Sequence, residues 1–98
     1  MRLEFHPEAE QEFLEAVWHY EAEVPGLGER FEGEMRRAGA LLLDYPEIGR
    51  PTRGALRKLV LDRFPYYLLY AHSGDAIRIV AVAHEKRRPG YWRERVRP

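Results

Sequence analysis

Apolar and polar positions change period along this chain, and each change marks an element. In "RLEFH", Leu3 and Phe5 alternate with Arg2, Glu4 and His6, the period of two expected of a strand with one buried face. Pro7 and the glutamates after it suit a first helical turn, where proline's missing amide is no loss and acidic groups face the positive end of the helix dipole. Ala9, Phe13, Ala16, Val17 and Tyr20 then recur at helical spacing, which predicts a first helix running to about Glu23. Trp18 lies off that stripe and is expected as an exposed anchor for a partner. After the breakers of "EVPGLGERF", Phe31, Met35, Ala38, Leu42 and Tyr45 mark a second amphipathic helix. The short link predicts an antiparallel helical hairpin whose two stripes cover a common partner layer.

"YPEIGRPTRG" ends the second helix and reads as a loop, because Pro46 disfavours helical geometry at Tyr45. Three runs rich in β-branched and aromatic residues follow: "LRKLVLD", "YYLLYAH" and "AIRIVAVAH". "RFP" and "SGD" between them are short enough for hairpin turns, so the runs predict a three-stranded antiparallel meander. In the last run, strict alternation puts Ile77, Ile79, Ala81 and Ala83 under the helices. It leaves Arg78, Val80, Val82 and His84 on an open face. Phe64, Tyr66, Tyr67 and Tyr70 read as packing residues. The predicted class is α+β in one domain over residues 1–98: an N-terminal strand, an antiparallel helical hairpin, the meander, and a short C-terminal tail or helix.

Charge adds what periodicity does not show. The formal net charge is zero, yet Met1 to Gly49 holds 4 basic and 12 acidic residues, and Arg50 to Pro98 holds 12 basic and 4 acidic. The second half is therefore expected either to face an anionic partner or to neutralise the first half across the fold. Cysteine is absent, which excludes disulfides, a thiol nucleophile and a thiolate-bound metal. The start lacks the apolar core of a signal peptide and no apolar run approaches bilayer length, so a soluble, cytoplasmic protein with no membrane partner is expected.

The basic residues suggest two kinds of chemistry. Arg57, Lys58, Arg63, Arg78, Lys86, Arg87 and Arg88, with Trp92 beside them, are candidates for binding phosphate or a protein partner, brought into one cleft on the open face. His84 and Tyr91 are candidate acid and base groups for metal-free RNA cleavage, in which the cations would stabilise a charged phosphorane. His6, His19 and His72 have no metal-site spacing, and His19 with Glu23 reads as a surface pair. "PGLGERFEG" lacks the lysine and preceding strand of a phosphate loop. No metal and no cofactor are expected.

Three stretches resemble the RelE/ParE superfamily of toxins from type II toxin–antitoxin systems, above all its ParE-like plasmid stabilization branch. They are "YEAEVPGLGERF", "YPEIGRPTRG" and "LRKLVLDRFPYYLLYAHSGDAIRIVAVAHEKRRPGYW". The resemblance implies the same α+β fold and a cognate antitoxin whose acidic or amphipathic segment wraps the toxin. It leaves a homodimer and a toxin–antitoxin hetero-oligomer both open. It also implies a target: DNA gyrase for ParE-like members, which act by binding, or mRNA on the ribosome for RelE-like endoribonucleases. In the second case Arg57, Lys58, Arg63, Arg87 and Tyr91 would hold and cut phosphate. A toxin-like binding protein that has lost its toxicity is a third implied possibility.

Overall fold

The computed structural model describes residues 1–97. The chain runs β1 (Arg2–Phe5), α1 (Pro7–Glu23), α2 (Leu27–Asp44), β2 (Arg50–Pro51), β3 (Leu56–Val60), β4 (Tyr66–Ser73), β5 (Ala76–His84) and a short 3-10 turn, Arg93–Val96. The α+β class and the helical hairpin are as the pattern predicts. The expected antiparallel meander is present as β3-β4-β5, but it lies within a larger mixed sheet of five strands in the order β1-β5-β4-β3-β2. β3, β4 and β5 pair antiparallel, β2 adds to the β3 edge, and β1 lies parallel to β5 from Arg2↔Ala76 to Phe5↔Ile79. β2 escaped the sequence pattern because two residues have no period, and its proline is tolerated because the strand lies at an edge.

Local chemistry sets the helix limits. The His6 ring accepts the Glu8 amide at 3.1 Å and Pro7 occupies the first turn of α1. α2 is capped from a distance: the Glu21 carboxylate accepts the Gly26 amide at 2.9 Å and the Gly28 amide at 3.0 Å. A Cβ on Gly28 would lie 2.6 Å from the Val17 carbonyl, so glycine there lets the two helices approach. Tyr45, expected on the α2 stripe, is instead 61% exposed. The helix stops at Asp44, and Tyr45, before Pro46, leaves helical geometry at φ −135° and ψ 78° and so falls off the stripe.

Both helices cover one face of the sheet. Ala9 and Ala16 of α1, Phe31, Met35, Ala38 and Leu42 of α2, and Leu68, Tyr70, Ile77, Ile79 and Val82 of the sheet form the main core. A smaller cluster of Leu56, Leu69, Val80, Ala81 and Trp92 lies on the opposite face, under the C-terminal tail. The "PEIG" loop is tied to the main core by one phenol. The fully buried Tyr70 hydroxyl donates to the Pro46 carbonyl at 2.8 Å and accepts the Gly49 amide at 2.9 Å. A Cβ on Gly49 would lie 2.7 Å from the Tyr70 ring, so only glycine allows this contact. Tyr70→Phe leaves both backbone groups unpaired and should cost about 1–3 kcal/mol in urea unfolding. A loss below about 0.5 kcal/mol would mean that water replaces the phenol.

Strict alternation fails in β5. Tyr70 pairs with Ile79 and Leu69 with Ala81, so Val80 is an extra residue in a β-bulge. Up to Ile79 the expected parity holds. Beyond the bulge it inverts, and Val82 joins the main core while Ala81 joins the opposite cluster. His84 therefore lies on the helix side of the sheet and not on the open face where alternation placed it. "IVAVA" is apolar throughout, so it carries no signal that could mark the inversion.

Candidate functional site

β1 is only four residues long and leaves the second half of β5 without a neighbour on that side. Glu12 of α1 fills the gap. Its carboxylate accepts the Val82 amide at 3.0 Å, the Tyr91 hydroxyl at 2.7 Å and the Arg95 guanidinium at 2.9 and 2.8 Å. Arg95 also donates to the carbonyl of the bulged Val80 at 3.1 Å, so the ion pair caps the backbone groups that the bulge and the missing strand expose. The Arg95 side chain is only 7% exposed and that of Glu12 14%. Burial pushes the Glu12 carboxyl up, but the bonds from Arg95, Tyr91 and the Val82 amide hold it below the usual carboxylate range.

The tail reaches this position through a turn after β5. The Glu85 amide donates to the Pro65 carbonyl at 2.8 Å, the Arg87 amide to the His84 carbonyl at 2.9 Å, and Gly90 adopts φ +79°. Trp92 then packs onto Leu56, Leu69, Val80 and Ala81 with 9% exposure. Tyr91 is half-buried, and the Arg87 guanidinium stacks 3.9 Å above its ring centroid. Burial, and then the Glu12 carboxylate that takes its hydrogen bond, raise the Tyr91 phenol far above its ordinary value.

His84 and Arg87 border a concavity of about 290 Å³ together with Glu12, Glu15, His19 and Tyr66. The His84 Nδ1 accepts the Lys86 amide at 3.0 Å, and its ring meets Tyr66 edge-on at 5.2 Å. The other basic candidates do not join them in one cleft. Arg57 points to the helix side of β3, where it donates to the carbonyls of Glu47 at 3.0 Å and Gly49 at 2.8 Å. Lys58 and Arg78 lie on the opposite face, Lys58 4.3 Å from the Tyr67 ring centroid and Arg78 4.0 Å from Glu4. Arg63 stands in the β3–β4 turn beside Glu34 and Arg37. Lys86 and Arg88 are exposed in the turn after β5. The single cleft expected from the sequence is replaced by a dispersed basic surface, because neighbouring residues on β3 face opposite sides and β5 inverts at its bulge.

Among the described residues, the only cations of the second half within 4.0 Å of a carboxylate are Arg78, Arg95 and Arg97. Neutralisation across the fold is thus largely confined to Glu12, Glu8 and Glu4. Sequence reasoning missed Glu12 and Arg95. Glu12 carried a signal: it falls between Ala9 and Ala16, beside Phe13 on the apolar stripe, where an unpaired carboxylate would be costly. Arg95 carried none, since its partner is 83 residues away.

A family model described as the ParE toxin of the type II toxin–antitoxin system parDE matches residues 3–89. The chain belongs to this family. Membership implies an antitoxin partner for this ParE-family chain. The matched span takes in both helices, the His84 turn and all of the sheet except Arg2, and stops before Tyr91 and Arg95. Among solved structures, the chromosomal ParDE toxin–antitoxin system from P. aeruginosa matches with a TM-score of 0.74 at 20% identity, over 86% of this chain and 95% of that one. At that identity the likeness shows the fold. No curated protein matches significantly. Among the described residues, no helix is long and apolar enough to cross a membrane, and no group of three acidic or histidine side chains could hold a metal ion.

Proposed function

We propose that this ParE-family chain arrests growth by docking on DNA gyrase through its basic surface, and that a cognate antitoxin neutralises it by covering that surface. The observation that carries this reading is the Tyr91 hydroxyl. It already donates to Glu12 at 2.7 Å, and its phenol is held well above the ordinary range, so it is poorly placed to act as a general acid or base. The His84 Nδ1 is likewise occupied by the Lys86 amide. Lys58, Lys86, Arg87 and Arg88 have no carboxylate within 4.0 Å among the described residues, and they are spread over a face and a turn. That arrangement suits charge-steered docking better than the convergent geometry a phosphorane needs.

Purified chain added to a gyrase supercoiling assay is expected to inhibit it. Arg87→Ala with Arg88→Ala should raise the required concentration by about 10-fold or more and flatten its salt dependence. Both side chains are exposed, so the melting temperature should stay within a few degrees of the parent. Unimpaired gyrase together with cut mRNA on programmed ribosomes would instead establish the endoribonuclease.

A further inference from the structure

Leu41, Tyr45 and Ile48 are 37%, 61% and 46% exposed, and they converge on one concavity of about 630 Å³ at the C-terminal end of α2. Single exposed apolar residues are ordinary on a protein surface, but three meeting at one hollow form a docking feature. The hollow is built to keep its shape. Beneath it, Tyr70 holds Pro46 and Gly49 through two hydrogen bonds, and Arg57 holds the carbonyls of Glu47 and Gly49 through two more. Ile48 is therefore clamped outward, and a ligand would meet a loop that is already ordered.

Its rim is negative. α2 has no basic residue in its last turn, and Asp44 stands at the negative end of the helix dipole. Glu47 lies on the same rim, and among the described residues neither carboxylate has a Lys or Arg within 4.0 Å. His72, whose ring meets the Gly74 carbonyl at 3.1 Å, is the one ionisable base on the lining. Carboxylates in this position repel phosphate, which disfavours nucleic acid and acidic membranes.

We infer that this concavity docks a basic segment of a partner protein. An apolar or aromatic side chain enters between Leu41, Tyr45 and Ile48, while flanking arginines or lysines face Asp44, Glu47 and the last carbonyls of α2. The surface is distinct from the basic face, and its chemistry does not depend on the gyrase reading. A partner that used both surfaces would need segments of opposite charge.

The test uses the full chain and two short synthetic peptides with identical apolar positions, one carrying arginines and the other glutamates at the flanking positions. The arginine peptide is expected to shift the amide resonances of Leu41 to Ile48 and of His72, with an affinity that falls as salt rises from about 0.05 to about 0.5 M. Asp44→Asn with Glu47→Gln should weaken it by about 10-fold or more, and Ile48→Ser should do the same through the apolar floor without moving the melting temperature. Equal affinity for the two peptides, shifts elsewhere on the chain, or no binding of the arginine peptide would each overturn the inference.

Discussion

Glu12→Ala is expected to cost about 3–5 kcal/mol and to release the C-terminal tail before the rest of the fold melts. The substitution removes the buried partner of the Arg95 guanidinium and leaves it only the exposed Glu8 carboxylate at 3.6 Å, and the Tyr91 hydroxyl and Val82 amide lose their acceptor. Releasing the tail is the cheapest escape, since it returns Arg95 to water. Trp92 would then lose its packing on Leu69 and Val80. In a Trp18→Phe background, which removes the 62% exposed tryptophan, the remaining emission should move to the red. Acid should act in the same direction. The folded Glu12 carboxyl lies below its unfolded value of about 4.3, so its contribution is complete above that pH. It is lost as pH falls through the folded value, and the tail should loosen below about pH 4 while α1 and α2 remain. Unchanged Trp92 emission in Glu12→Ala would show that Arg95 holds the tail without its partner.

The second large effect is expected at Phe31. Its side chain is fully buried, edge-on to Phe64 at 5.1 Å and to Tyr66 at 5.1 Å, and tilted against Tyr20 at 5.4 Å and Phe13 at 6.2 Å. Phe31 and Tyr20 each touch both Phe64 and Tyr66, joining the helical hairpin to the β3–β4 turn, and of the two only Phe31 is fully buried. Phe31→Ala should cost about 3–5 kcal/mol, through lost transfer energy and the cavity left among rings that cannot collapse onto it. For a domain of this size that is a fall of more than about 12 °C in melting temperature. A loss below about 1 kcal/mol would mean that Phe64 and Tyr66 repack into the space.

How much of this was legible in the sequence depended on whether a local pattern existed. α1 begins at Pro7 and ends at Glu23 as its stripe predicts, because the period of Ala9, Phe13, Ala16 and Tyr20 is unbroken and its start is chemically marked. Three of the strands follow from β-branched runs bounded by turn residues. The parallel pairing of β1 with β5 could not be read, since four alternating residues specify a buried face but not a neighbour. The bulge at Val80 was hidden in an apolar run, and with it the true side of His84. The site suffered more than the fold for the same reason. Arg57 and Lys58 are adjacent in sequence and opposite in space, and the Glu12 to Arg95 pair joins the ends of the chain across a gap that only the three-dimensional arrangement creates.

The dispersed cations and the occupied Tyr91 hydroxyl support the proposed docking over RNA chemistry. The most direct measurement is induced expression without antitoxin, following growth, mRNA integrity and plasmid supercoiling in the same culture, with Tyr91→Phe alongside the parent. Arrest with intact mRNA and disturbed supercoiling is expected for both chains. Arrest with cut mRNA and normal supercoiling, reduced by a factor of roughly 100 or more in Tyr91→Phe, would contradict the proposed docking.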